Sequence, residues 1–569
     1  MKATLLLTAV GASAYQTYKG RRRLYGPALG IGPARYPIEV EQGLRVPIGD
    51  GEFLVCDHYA PLTLQKLPTI LIRSPYGRNA GGSIFGAMLS FFAQRFAERG
   101  YHVIIQDVRG RFDSDGEFIP AVHEREDGLA TLRWLDQQTW HNGRVGLWGP
   151  SYLGIVQWLL ASDNPQVGAM VPILTASQLH RILYPDQAFD LGLVLRWMAV
   201  FKGLDDYAGS LVRTAEMAFN IERRVSQAMQ HLPLSDIDET LLGEPVAFYR
   251  QWMENAAPDT PLWQQINGTM KVERTTAPAY LVAGWYDFFL RAQLADYHAL
   301  QAAGRNPYLT IGPWHHFSSG NGMFEGIRGG LAWFDAHLKD QPERLRKNPV
   351  RLFIMGANQW REYPAWPPPS RIQTLYLGPG RSLRDEPAPH PITSHYTYDP
   401  QAPTPALGGT LFALQGGPRD NRPLEARPDV LTFSSEPLAQ DLEVIGYVRL
   451  KLYVQSDCDT TDFFGRVCDV YPDGRSINIC DGLYRVRAEE EASEPDGTRL
   501  VEVDLWATAH RFKVGHCIRL IVASGAHPRW TRNPGTPGAL FEDCELRPAH
   551  QIIHHDQTHP SALLLPVVS

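Results

Sequence analysis

Three side chains carry the chemistry this chain can do. Ser151 lies in Trp148-Gly149-Pro150-Ser151-Tyr152-Leu153-Gly154, Asp287 in Gly284-Trp285-Tyr286-Asp287, and His316 in Gly312-Pro313-Trp314-His315-His316. A serine hydroxyl attacks a carbonyl only when a neighbouring base takes its proton. An imidazole can be that base, and a carboxylate behind it holds the ring in the right tautomer and stabilises the imidazolium. In the chain order nucleophile, acid, base, these types predict acyl transfer through Ser151, with His316 as general base and then general acid and Asp287 orienting it. His315 is the alternative base. A serine before an apolar helix is commonly only an N-cap, but the later aspartate and histidine argue against that use here.

The glycine spacing alone is weak support. In α/β-hydrolases the nucleophile sits on a sharp strand-to-helix turn written G-x-S-x-G, whereas Gly154 falls three residues after Ser151. Gly81-Gly82-Ser83-Ile84-Phe85-Gly86 has the same spacing, yet no strand leads into it. Ser151 instead follows Arg144 to Gly149, a run with strand character, and precedes Tyr152 to Ser162, with Ile155, Trp158 and Leu159 at helical spacing. Pro150 biases Gly149 toward extended backbone and keeps the strand going up to the turn. The oxyanion of the tetrahedral intermediate then needs two donors. The backbone N–H of Tyr152 is one, and the other should come from the loop Ser74-Pro75-Tyr76-Gly77.

The elements that must hold these groups alternate. Strands are expected at Leu67 to Arg73, Tyr101 to Gln106, Arg144 to Gly149, Ala279 to Gly284 and Tyr308 to Gly312, with a helix over Glu124 to Gln137. This alternation marks a parallel sheet with crossover helices. Asp287 and His316 each follow the end of a late strand. Between Thr175 and Ala279 the strand pattern gives way to helical runs such as Ala188 to Phe201 and Leu211 to Met229, which predicts an inserted cap. Tyr363-Pro364-Ala365-Trp366-Pro367-Pro368-Pro369 breaks any helix or central strand. Beyond it, short alternating segments (Val448 to Val454, Phe463 to Val470, Leu500 to Trp506, Cys517 to Ser524) predict an all-β sandwich or jelly roll. The expected domains are 1–35 (apolar and basic segment), 36–176 with 275–362 (α/β-hydrolase), 177–274 (helical cap) and 370–569 (β-sandwich).

At these residues the chain resembles the cocaine esterase-like (CocE/NonD) hydrolases and the related X-prolyl dipeptidyl-peptidases. The resemblance rests on Arg73-Ser74-Pro75-Tyr76, Asp107-Val108-Arg109-Gly110, Gly149 to Gly154, Gly284 to Asp287, Gly312 to His316, and Asp469-Val470-Tyr471-Pro472-Asp473-Gly474-Arg475. It implies the same three-part architecture with a galactose-binding-like jelly roll as its last part, a nucleophile motif G-x-S-Y-x-G that accommodates the displaced glycine, an oxyanion hydroxyl from Tyr76, and His316 over His315. It also implies cleavage of carboxylic esters, acyl amides or X-Pro peptides. A peptidase needs an anion for the substrate's amino terminus, and Asp186, Asp190, Asp205 and Asp206 in the cap region are candidates, though each reads as well as a solvated helix face. Phe289, Trp158 and Trp285 are candidates for the acyl pocket.

Composition fits this reading. With 569 residues, 44% hydrophobic and 20% charged, the chain is globular and exceeds one core. A net charge of -7 and no basic run beyond Lys19-Gly20-Arg21-Arg22-Arg23 give no nucleic-acid footprint. Six cysteines without a C-x-x-C pair indicate no zinc or redox motif, and acyl transfer of this kind asks for no cofactor or metal. The expected partner is a small ester or acyl substrate. Residues 3–15 are apolar and precede the basic run, so they can be a signal peptide or an arm with weak membrane affinity. The chain is therefore expected in the cytoplasm, or exported or tethered through this segment. Asp107 with Arg109 reads as a structural hydrogen-bonded pair, and His554-His555-Asp556-Gln557-Thr558-His559 as an exposed tail. The reading from another functional class, a binding sandwich on an inactive scaffold, conflicts with the intact serine, aspartate and histidine.

Overall fold

The computed structural model describes Gly26 and residues 29–206, 211–487 and 494–568. Runs of β-branched and apolar residues build a ten-stranded sheet in the order β1-β2-β4-β3-β5-β6-β7-β8-β9-β10. Its strands are β1 (Ile38–Gly49), β2 (Glu52–Pro61), β3 (Leu67–Ser74), β4 (His102–Asp107), β5 (His141–Pro150), β6 (Val167–Ile173), β7 (Tyr280–Tyr286), β8 (Tyr308–His315), β9 (Val350–Ile354) and β10 (Gln359–Tyr363). Strands β3 to β9 run parallel, and antiparallel β1, β2 and β10 finish the edges. Near-continuous burial along β4 and β7 follows, because a parallel sheet is covered on both faces.

Helices α1 (Ile84–Ala97), α2 (Glu124–Asp136) and α3 (Tyr152–Ala161) cross between the early strands. The cap, α4 (Leu179–Leu183), α5 (Leu191–Asp206), α6 (Leu211–Ala228), α7 (Ile237–Leu242), α8 (Ala247–Glu254) and α9 (Pro261–Thr269), enters between β6 and β7. Helices α10 (Leu290–Ala302) and α11 (Ser319–Leu338) complete the sheet's layers. On one face Phe92 and Phe96 of α1 and Phe334 of α11 pack with Trp148 of β5. On the other, Leu132, Ile155 and Leu294 bring in α2, α3 and α10. The α/β-hydrolase class expected from the alternating pattern is thus present.

From Arg371 to Val567 the described chain is almost wholly β, an eleven-stranded sheet system. It is joined to the first sheet where Met355 N donates to Ala509 O at 2.9 Å and Arg511 N to Met355 O at 2.8 Å. Two expectations are corrected. The histidine-rich segment is not an exposed tail: Ala549–His554 is a strand, and His555 and Asp556 are 2% and 5% exposed. Asp107 and Arg109 do not pair: Asp107 binds Arg78, while Arg109 binds Asp127 at 2.6 Å and Glu52 at 2.9 Å. Among the described residues no helix is long and apolar enough to cross a membrane. Residues 3–15 and the basic run after them lie outside the described residues.

Candidate active site

The turn from β5 into α3 places Ser151 at φ 56°, ψ -127°, a conformation L-residues avoid. Neighbouring bonds hold it there: Ser151 N donates to Ile173 O at 2.9 Å, and Thr175 Oγ1 donates to Ser151 O at 2.7 Å. The displaced glycine acquires a reason. A Cβ on Gly154 would overlap the Thr175 side chain, two residues beyond β6, so the small residue is required three positions after the serine, where the helix passes that segment.

Asp287 directly follows β7 and His316 directly follows β8. His316 Nδ1 lies 2.8 Å from Asp287 Oδ2, and His316 Nε2 lies 3.1 Å from Ser151 Oγ. Asp287 is 1% exposed, and its other oxygen accepts from Phe289 N at 2.9 Å, which fixes the carboxylate plane. The neighbouring His315 turns away. Its ring packs beside Gly416 and Gly417 of the C-terminal domain, and burial lowers its pKa. The constellation that sequence spacing suggested is therefore a continuous chain from carboxylate to imidazole to hydroxyl.

Tyr76, just beyond β3, accepts from Trp197 Nε1–H at its hydroxyl and lines the same cleft as Ser151, and burial pushes its pKa up to about 12, so it stays a proton donor. Tyr152 offers its backbone N–H from the first turn of α3, where helix N–H groups have no intrahelical acceptor. Its side chain is engaged elsewhere, donating to Glu124 Oε1 at 2.8 Å and accepting from Ala121 N at 2.9 Å.

An apolar cleft opens over Ser151. Phe289 lines it, together with Phe288, Trp197, Trp252, Leu183 and Phe412. Trp158 and Trp285 do not reach it. Trp158 is 1% exposed inside the core, and Trp285 donates to Phe353 O at 2.8 Å and packs on Trp366. The cap aspartates are also absent from the lining. Asp186 pairs with Arg291, Asp190 accepts from Leu193 N at 2.9 Å, Asp205 pairs with Arg111 at 2.8 Å and Asp206 with Lys202 at 2.9 Å.

A cocaine esterase of Rhodococcus sp. (strain MB1 Bresler) is 33% identical over 93% of this chain and 98% of its own length. The chain belongs to the cocaine esterase-like (CocE/NonD) hydrolase family. Within it, residues 50–318 match the X-Pro dipeptidyl-peptidase (S15 family) and residues 345–564 the X-Pro dipeptidyl-peptidase C-terminal non-catalytic domain. Among solved structures, an alpha-amino acid ester hydrolase superimposes with a TM-score of 0.77 at 23% identity, over 93% of this chain and 97% of that one. An aminopeptidase from a marine sediment Thaumarchaeota archaeon also reaches a TM-score of 0.77, at 22% identity, over 94% of this chain and 97% of that one. The CocE/NonD chain is thus a hydrolytic enzyme.

Sequence reasoning missed the cap and C-terminal contributors to the cleft, Trp197, Trp252 and Phe412. An aromatic residue on an amphipathic helix reads as core, and no signal ties the loop around Phe412 to a site near residue 151.

Proposed function

We propose that this hydrolase cleaves carboxylic esters with apolar acyl groups through an acyl-enzyme on Ser151. The lining of the cleft carries the reading: it is aromatic and aliphatic around Ser151, and none of its residues is acidic. A dipeptidyl-peptidase must seat a free ammonium near the scissile bond, and such a charge in apolar surroundings without a counter-charge is costly. The name of the 33% identical relative, a cocaine esterase, supports the same preference.

In this mechanism His316 Nε2 takes the Ser151 proton as Oγ bonds to the ester carbon, and the carbonyl oxygen becomes an oxyanion held by Tyr76 Oη–H and Tyr152 N–H. Collapse breaks the ester C–O bond, and the departing alkoxide takes the proton from His316. Water then adds to the acyl-enzyme while His316 accepts its proton. The second collapse expels Ser151 Oγ, which regains that proton, and the carboxylic acid leaves. Asp287 keeps Nδ1 protonated and the ring aligned throughout.

The test is steady-state hydrolysis of p-nitrophenyl acetate, butyrate and benzoate against Gly-Pro p-nitroanilide. All three esters should turn over, with benzoate showing the lowest KM. An anilide kcat/KM above that of every ester would overturn the reading in favour of a peptidase. Ser151→Ala should abolish turnover and fluorophosphonate labelling, and full labelling of that variant would remove Ser151 from the mechanism.

A further inference from the structure

Trp197 of the cap helix α5 donates its indole Nε1–H to the Tyr76 hydroxyl at 3.0 Å. An indole N–H can only donate, whereas a phenol donates one proton and accepts through its lone pairs. With the indole proton occupying an acceptor position, the Tyr76 proton is left free for another acceptor, in the cleft that Tyr76 lines together with Ser151 and Tyr152. That cleft is where an oxyanion forms.

The indole is itself held in place. It packs on Phe201 with ring centroids 4.4 Å apart and stacks on Trp252 at 5.8 Å and Tyr152 at 6.2 Å. The same helix is tied to the Tyr76 loop a second time through Arg111. Its guanidinium pairs with Asp205 of α5 at 2.8 Å and donates from Nε to Pro75 O, one residue before Tyr76, at 3.1 Å. Two anchors therefore fix α5 against the loop that carries the hydroxyl.

We propose that Trp197 is a positioning residue for catalysis: its indole N–H orients and polarises the Tyr76 hydroxyl as an oxyanion donor, so the cap supplies part of the catalytic machinery and not only a wall of the cleft. This rests on the reading of Tyr76 as an oxyanion donor. A hydroxyl that accepts one hydrogen bond becomes a stronger donor in the next, so the indole strengthens the contact as well as aiming it.

A double-mutant cycle on p-nitrophenyl acetate, whose small acyl group makes little use of the cleft walls, tests this. Tyr76→Phe should lower kcat by about 100- to 1,000-fold, the usual loss for one oxyanion donor. Trp197→Phe should lower kcat by roughly 3- to 10-fold, the loss expected for one hydrogen bond, with KM little changed. In the Tyr76→Phe background, Trp197→Phe should do nothing more to kcat. Equal losses from Trp197→Phe in both backgrounds, or a change confined to KM, would make Trp197 a lining residue and overturn the proposal while leaving Tyr76 in place. An undiminished kcat for Tyr76→Phe would instead overturn the oxyanion reading on which it rests. If Trp197→Phe lowers thermal stability, benzothienylalanine at position 197, with the indole shape but no N–H, enters the same cycle under the same criteria.

Discussion

The rings of Phe412 and His316 lie 5.3 Å apart between centroids, although Phe412 belongs to the C-terminal domain and His316 to the α/β sheet. Phe412 also meets Phe288 at 5.5 Å and Phe317 at 4.6 Å. One loop of the β domain thus closes the apolar side of the cleft over the histidine. The non-catalytic name of the matching domain family is compatible with a domain that shapes the site without supplying its reacting groups.

Phe412→Ala should therefore impair binding more than chemistry. Burying an aromatic side chain is worth about 1.5 to 3 kcal/mol, so kcat/KM for p-nitrophenyl benzoate should fall by about 10- to 100-fold, chiefly through KM. Fluorophosphonate labelling of Ser151 should persist. An unchanged KM for the benzoate would show that the acyl group does not reach Phe412.

Gly154→Ala should be far more damaging than its one methyl suggests. The added Cβ overlaps the Thr175 side chain, whose hydroxyl holds the Ser151 carbonyl at 2.7 Å. Either α3 shifts or the Thr175 contact breaks, and displacement of a nucleophile by about 1 Å can cost about 100-fold. Kinetics of Gly154→Ala alone and with Thr175→Ser, which removes the Cγ2 methyl, check this. The second change should restore part of the lost kcat, and no recovery would locate the damage elsewhere.

How much of this was legible depended on where each residue sits. Ser151, Asp287 and His316 could be found because each must follow a buried strand, and buried parallel strands announce themselves as apolar runs. Order and strand context outweighed the displaced glycine, whose cause, Thr175 just beyond the adjacent strand β6, no local pattern reveals. Strands β1, β2, β6, β9 and β10 were not picked out; of these the outermost, β1 and β10, are half exposed and carry charges such as Glu39, Glu41 and Arg361. Trp158 and Trp285 were drawn to the pocket by nearness in sequence to Ser151 and Asp287. Their side chains point into the core because alternation and helical phase, not sequence distance, decide direction.

Tyr152→Phe separates two uses of one residue. The backbone N–H remains for the oxyanion, while the lost hydroxyl leaves Glu124, which also pairs with Arg73 at 2.9 Å, without one donor and Ala121 N–H without an acceptor. Stability should fall by about 1 to 3 kcal/mol in denaturant unfolding, with kcat within about threefold of the parent. A kcat loss as large as that of Tyr76→Phe would mean that the Tyr152 side chain takes part in the reaction.

His58 and His102 give the fold an acid-sensitive point away from the cleft. His58 Nε2 meets His102 Nδ1 at 2.9 Å, Trp140 packs on both rings, and burial lowers their pKa values from 6.5 to about 4 and about 3. The unfolded chain binds protons at these sites below about pH 6.5 while the native chain does not, so the stability they confer is full above that pH. It is lost as pH falls toward 4 and 3. Asp107, Asp190 and Asp296, each pushed up to about 7 by burial, act in the opposite sense, but they are common to parent and variant and cancel in a comparison. His102→Asn keeps a group near Nδ1 and removes one titration. Its deficit in urea unfolding relative to the parent should be largest at pH 7 and shrink by on the order of 1 to 2 kcal/mol between pH 6.5 and 5, at about 1.4 kcal/mol per pH unit. A deficit that stays constant or grows on acidification would mean that His102 is charged in the native state.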